Sequence, residues 1–415
     1  MQNLTLKLVL ILSYFVFAIL LNSVGTVVLQ VQNSFGVSPS DASVLEGFKD
    51  ISIAITSFLI ASFIVKIGYK RAMLAALAFV TAGCLMAPEL PTFWMTKILF
   101  AIIGISFALI KISVFATLGL ITSDQKGHAS LMNFLEAFFM IGVLSGYFIF
   151  SAFVDDTNSS SLEWMNVYYW LAAMTAIAFI FIYFVKIDET PLKKSTETSL
   201  AEDISGLIKL GVKPLALVFI VSVFLYVLIE QSIMTWLPTF NAQVLNLPTS
   251  LSIQMASILA GATALGRMTA GFVLRYIDWY KFLALSIIAA SGLILLTLPL
   301  TAPQDGQPVA QAITSWADAP LIAWLFPMIG LLIAPIYPVI NSVVLSALPA
   351  PQHAPMSGLI VVFSALGGTT GSLITGNLFD LVGGQAAFYF SLVPFSLILI
   401  TLFIFKRSIV KGSTQ

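Results

Sequence analysis

Charge is what this chain has least of. Asp, Glu, Lys and Arg together are 9% of its 415 residues, whereas about a quarter of an ordinary soluble domain is charged. With 59% hydrophobic residues and a mean hydropathy of +1.00, the shortage excludes a solvated globular domain and points to a polytopic membrane protein. Net charge is also missing: 19 basic and 19 acidic residues cancel. No basic field invites nucleic acid, and no nucleic-acid motif occurs. Cysteine is nearly absent; Cys84 alone can form neither an internal disulfide nor a cysteine metal cluster. The two histidines, His128 and His353, fall in short polar connections and read as solvated loop residues rather than metal ligands. No Gly-Lys-Ser phosphate loop is present, so ATP drive is not expected. No nucleophile–base or metal-ligand constellation suggests an enzyme, and no cofactor is called for.

Long apolar runs are what is there. A spanning helix needs about 20 apolar residues, and twelve such runs can be counted. They lie near 7–30, 42–65, 71–88, 93–121, 129–153, 165–186, 214–238, 250–274, 280–300, 320–347, 356–379 and 386–405. Lys7 precedes the first run, which lacks a small-residue cleavage site and is therefore expected to be a retained span. Lys and Arg orient the set. With the N-terminus inside, Lys66, Lys70, Arg71, Lys126, Lys186, Lys193, Lys194, Lys209, Lys213, Arg275 and Lys281 fall in cytoplasmic connections, and Lys406, Arg407 and Lys411 in the tail. The opposite connections, near 31–41, 89–92, 154–164, 239–249, 301–319 and 380–385, hold no Lys or Arg. The expectation is a multi-pass protein of the inner membrane with both termini cytoplasmic.

The most polar stretch, 187–213, divides the chain into an N-terminal six-helix bundle, 1–186, and a C-terminal one, 214–415, with a short cytoplasmic tail. The linker's "SLAEDISGLIKL" has a Ser N-cap and helical spacing, which predicts a short surface helix. The halves can be superposed as sequences. Setting Asn33 on Asn241 places Asn22 on Glu230. Further on the offset grows by about 17 residues, roughly the extra length of the 301–319 loop, and Gly104 pairs with Gly330, Lys111 with Tyr337, and Phe138, Gly142, Gly146 and Asp155 with Phe363, Gly367, Gly371 and Asp380. Two parallel six-helix repeats in an all-α integral membrane protein are the signature of the major facilitator fold.

The chain resembles a major facilitator superfamily transporter along nearly its whole length. Within the superfamily it resembles the fucose–galactose–glucose:proton symporter family, especially its TsgA-type branch. "GRMTAGFVLRY" (266–276), "IYPVINSVVLSALP" (336–349), "SALGGTTGSLITGNLFDLVGGQAAF" (364–388) and "NFLEAFFMIG" (133–142) carry the likeness. The resemblance implies twelve helices in two pseudo-symmetric bundles, a midplane site between them, and a small-molecule substrate moved by alternating access. It also implies proton coupling, but the usual residues do not carry over. The carboxylates that the symporters place in spans one and four are Asn22-Ser23 and Lys111 here, and Val65 stands where the loop between spans two and three has Asp.

A Lys or Asp at mid-bilayer costs about 2.5–3.5 kcal/mol on the insertion scale, so ionisable residues inside spans pair or line a pathway. Lys111 and Glu136 each lie roughly 12–15 Å from the cytoplasmic ends of neighbouring antiparallel spans, and are expected to pair. Glu46, Lys49 and Asp50 share one face near the outer end of span two. With Lys97 at similar depth they are expected to form a gating charge network, Asp50 also being a proton-site candidate. Arg267 belongs to the packing motif of span eight and is expected at the inner gate. Glu230 and Gln231 sit mid-way along span seven, which makes Glu230 the leading acid of the C-terminal half. Tyr337, between Pro335 and Pro338 at an expected kink, is a cavity candidate.

The expected cavity set is thus Asn22, Lys111, Glu136, Glu230, Gln231 and Tyr337, and the proton-coupling set Glu136, Glu230 and Asp50. The function expected is a secondary active transporter of a small polar solute, a sugar or a sugar-like or anionic metabolite, with Lys111 favouring an anion. Its other partners are protons and the lipid bilayer, and it is expected to be a monomer. Metabolite or drug export by proton antiport, and a transporter-like sensor, are the alternatives.

Overall fold

A computed structural model describes residues 2–61, 64–121, 125–187, 211, 213–301, 313–347 and 352–412. Among them every regular element is a helix: α1 (Gln2–Asn22), α2 (Val24–Phe35), α3 (Pro39–Ala42), α4 (Val44–Ala61), α5 (Ile64–Ile67), α6 (Tyr69–Glu89), α7 (Phe93–Ile121), α8 (Gln125–Ser151), α9 (Val167–Phe184), α10 (Pro214–Gln243), α11 (Thr249–Val273), α12 (Trp279–Thr297), α13 (Leu321–Leu325), α14 (Ile329–Ile333), α15 (Ile336–Ala347), α16 (His353–Val382), α17 (Gly384–Tyr389) and α18 (Leu392–Gly412), with short 3₁₀ turns between some of them. An all-helical solution satisfies each backbone amide within its own segment, as a bilayer demands.

Eleven stretches of helix among the described residues are long and apolar enough to cross a membrane. The twelfth expected span corresponds to α4, 18 residues that include Glu46, Lys49 and Asp50. Most of the linker expected at 187–213, including its predicted surface helix, lies outside the described residues.

Two compact units result. The first consists of Met1–Val24 and Phe48–Asp203, the second of Gly25–Gly47 and Ile204–Gln415. Dividing the sequence at the linker puts 25–47 in the N-terminal half; packing groups it with the second unit. The chain breaks its first span near this boundary. Asn22 Nδ2 donates to Ala18 O and Ser23 Oγ to Leu20 O, both at 2.8 Å. Side chains that bond back onto carbonyls compete with the helical ladder, and α1 ends at Asn22.

In the first unit, α6 packs on α7 and α9, and α1 packs on α7, α8 and α9. Phe17, Phe100, Phe150, Trp164 and Tyr168 are fully buried there. Close approach needs glycine: a Cβ on Gly142 of α8 would lie 2.7 Å from Phe15 O of α1. Lys70 Nζ donates to Tyr183 O and Val185 O, at 2.8 and 2.7 Å, covering carbonyls that the C-terminal end of α9 leaves open.

The second unit repeats the arrangement. Its α10 packs on α16 and α18, and α11 on α14. A Cβ on Gly367 of α16 would lie 2.5 Å from Phe224 O of α10, the same crossing as Gly142 on Phe15. Gly104 of α7 likewise meets Lys49 O of α4, and Gly330 meets Leu259 O of α11. These contacts are the physical content of the glycine pairs in the sequence repeat. Phe240, Phe326 and Phe388 form an aromatic core with centroids 4.9–5.5 Å apart. The inserted segment 25–47 is held by polar contacts. Gln243 Nε2 donates to Gln32 Oε1 at 3.1 Å, Ser40 Oγ to Asp380 Oδ2 at 2.6 Å, and Ser372 Oγ to Ser43 O at 3.2 Å.

The expected kink in span ten is present. The helix is interrupted between Ile333 and Ile336, where Pro335 has no amide proton to give.

Candidate functional site

Each unit holds one polar cluster built on the same plan: a tyrosine from its first long helix, a carboxylate, and a nearby cation. In the first unit Tyr14 of α1 donates its hydroxyl to Glu136 Oε1 of α8 at 3.2 Å. Lys111 of α7 lies over the rings of Phe107 and Phe115, its Nζ 5.7 and 5.9 Å from their centroids, and within electrostatic reach of Glu136. The expected direct Lys111–Glu136 pair is not among the salt bridges of the described residues. Tyr14 holds the carboxylate, and ring faces hold the ammonium. Both Lys111 and Glu136 are exposed side chains, although they sit mid-helix. Tyr14 also packs on Phe107, Phe115 and Phe139, with centroids 6.2, 5.8 and 4.8 Å away.

In the second unit Tyr226 donates to Glu230 Oε1 at 2.7 Å, along one turn of α10. Arg267 of α11 reaches the same oxygen with Nη2 at 3.3 Å. Tyr337 packs tilted against Tyr226, with ring centroids 5.7 Å apart. Arg267, expected at the inner gate, thus lies beside the acid. The packing role falls to Gly266, which abuts Leu331 O, and the neighbouring guanidinium turns to the acid. Gln231 is half-buried. Asn22 is half-buried too, and its amide is turned onto its own helix.

Glu46, fully buried, accepts from Thr235 Oγ1 at 2.8 Å in the second unit. In the first unit Lys49 and Asp50 approach to 3.4 Å. Lys97 lies over Phe93 and Trp94 of its own helix, 4.2 and 5.3 Å from their centroids. No group of His, Cys, Asp and Glu that could hold a metal occurs among the described residues, and Cys84 is buried and free.

The family model of the Major Facilitator Superfamily matches residues 10–310. The chain belongs to the major facilitator superfamily. As a member of it, the protein is a secondary transporter rather than an enzyme. Among curated relatives it is similar to a glucose/galactose transporter of Brucella abortus, 24% identical over 351 residues, which covers 80% of this chain and 77% of the relative. It is also similar to a TsgA homologue of Buchnera aphidicola, 22% identical over 330 residues, 72% of this chain and 75% of the relative. The fold matches the crystal structure of a bacterial homologue of the human lysosomal transporter Spinster in an inward-facing and occupied conformation. There the TM-score is 0.78, at 12% identity, over 98% of this chain and 97% of that one.

Reading the sequence passed over the two tyrosines of this transporter. Tyr14 and Tyr226 were hidden among 33 phenylalanines. The usable signal was the hydroxyl: a tyrosine deep in an apolar helix needs an acceptor, and one acid lies within reach in each half.

Proposed function

We propose that the chain is a proton-coupled importer of a small sugar or sugar-like solute, acting as a monomer in the inner membrane with both termini cytoplasmic. The observation that carries this reading is the tyrosine–carboxylate–cation cluster in each repeat. Its carboxylates and ammonium or guanidinium groups can hydrogen-bond a polyol, and the half-buried rings of Phe115, Phe139 and Tyr337 can cover the apolar face of a sugar ring. The relative described as a glucose/galactose transporter supports the same class of cargo. The basic residues confined to one set of connections support the orientation.

Three acids are candidates for the coupling proton: Glu136, Glu230 and Asp50. Glu230 faces Arg267, and Asp50 faces Lys49; each carboxylate has a cation at contact distance. Glu136 has a hydroxyl as its direct hydrogen-bond partner.

The test is counterflow in proteoliposomes with labelled hexoses, pentoses and their acids, followed by uptake driven by an imposed pH difference. At least one member of the panel should exchange and accumulate when the lumen is alkaline. Exchange no faster than in empty liposomes across the whole panel would end the sugar reading.

A further inference from the structure

We propose that Lys111 binds the carboxylate of an anionic, sugar-acid substrate, and that Glu136 takes up one proton as that anion binds. The inference rests on the transport reading above and narrows its substrate class.

Among the described residues Lys111 is a cation without a counter-ion at contact distance. Its partners are the faces of Phe107 and Phe115, and no hydrogen bond or ion pair to it occurs among the described residues. A ring face attracts the charge but does not accept the three ammonium protons in the way an oxygen does. Those protons remain available, on a side chain that is exposed. The second unit shows the contrast. There Arg267 meets Glu230 directly at 3.3 Å, so the cation and the acid already satisfy one another. In the first unit Tyr14 occupies Glu136, and the lysine is left to recruit an anion from outside. Phe115 and Phe139, both half-buried and both packed on the buried Tyr14, lie beside it and are able to stack the carbon face of a ring whose carboxylate points at Lys111.

Charge balance supplies the proton. Empty, Lys111 and Glu136 sum to zero. An arriving carboxylate makes the sum negative in a weakly polarisable surround, which is costly. One proton taken from water onto a Glu136 oxygen forms an O–H bond and returns the sum to zero. The titratable groups that face Glu136 are Tyr14 from α1 and Lys111 from α7. Tyr14 can rotate its hydroxyl to accept from the protonated acid. Anion and proton therefore favour one another's binding, and by linkage the effect is reciprocal.

Glucuronate and glucose, equal in ring and different in charge, are the probes. In wild-type proteoliposomes glucuronate counterflow should exceed glucose counterflow at least about tenfold, a preference of about 1.4 kcal/mol. Its apparent affinity should rise at mildly acidic pH, and its uptake should alkalinise the outer medium. Lys111→Gln should reduce glucuronate exchange at least about tenfold, whereas Lys111→Arg, which keeps the charge, should preserve the anion preference. Glu136→Gln should remove the pH dependence of glucuronate affinity together with the alkalinisation. If glucose exchanges as well as glucuronate in the wild type, or Lys111→Gln changes neither, the anion site is wrong while the transport reading stands. Glucuronate affinity independent of pH in the wild type would overturn the proton step. Wild-type protein that exchanges neither sugar nor acid overturns the transport reading and this inference together.

Discussion

At the scale of single residues, two carboxylates that look alike in sequence differ in their partners. Glu230 lies between Tyr226 and Arg267, and its salt bridge is partly open to solvent, with side chains 44% and 19% exposed. Such a pair sits near the exposed limit, where an ion pair contributes up to about 1 kcal/mol. A double-mutant cycle over Glu230→Gln and Arg267→Gln, read by thermal unfolding in detergent, should give a coupling energy of about 1 kcal/mol or less. A coupling of several kcal/mol would mean a pair much more enclosed than this one. Lys111, Glu136 and Glu230 were all legible in the sequence, because charge inside an apolar run is rare and conspicuous. Their partners were not. Arg267 was read through its motif, and Tyr14 and Tyr226 differ from the surrounding phenylalanines by one oxygen each. Which acid an oxygen reaches depends on helix rotation, and nearly uniform apolarity around a buried membrane helix leaves no periodic signal to fix that rotation.

At the scale of helices, packing is set by where backbones touch. Gly142→Ala should destabilise the first unit by about 1–3 kcal/mol, because Phe15 O and the Ala18 methyl stand 2.7 and 2.8 Å from the new Cβ. Gly292→Ala in α12, with nothing within 4 Å, should instead stabilise by about 0.5–1 kcal/mol through helix propensity. Fluorescence-detected gel filtration after a temperature series measures both, and equal effects would discredit the assigned helix crossings. The same glycines made the repeat readable, since small residues recur where two helices of each unit meet. Helix interruptions were less legible: Pro335 announced one, whereas the break after Asn22 depends on how Asn22 and Ser23 turn. Outside the spans, Asp318 accepts from the amides and hydroxyls of both Thr314 and Ser315, which holds its carboxyl below the usual range. A depressed carboxylate contributes its stability above the ordinary value of about 3.9 and loses it as pH falls through the lower folded value. Amide exchange at Thr314 and Ser315, corrected for intrinsic rates, should therefore stay constant from neutrality down to mildly acidic pH and quicken only in strong acid. Loss of protection already at mildly acidic pH would contradict the cap.

At the scale of the molecule, the proposed orientation can be tested against a quiet background. Cys84 is fully buried and should not react with a membrane-impermeant maleimide. Ser160 and Lys281 are both exposed, in connections assigned to opposite faces. Ser160→Cys should label in intact cells, and Lys281→Cys only after permeabilisation; the reverse pattern would invert the topology. The all-helical, multi-span fold was legible because hydropathy acts over the whole chain. That 25–47 groups with residues two hundred positions later was not legible, since it arises from side-chain contacts such as Gln32 with Gln243 and Ser40 with Asp380.

That grouping has a consequence in time. A ribosome delivers the chain from its N-terminus, so Gln32, Ser40, Ser43 and Glu46 are made well before Thr235, Gln243, Ser372 and Asp380. Through that interval the connection between the first two spans and the start of the second hold polar groups whose distant partners do not yet exist. The N-terminal portion of the protein is thus born unfinished, and the stretch joining its first two spans gains its last partners only once the last third of the polypeptide has been synthesised.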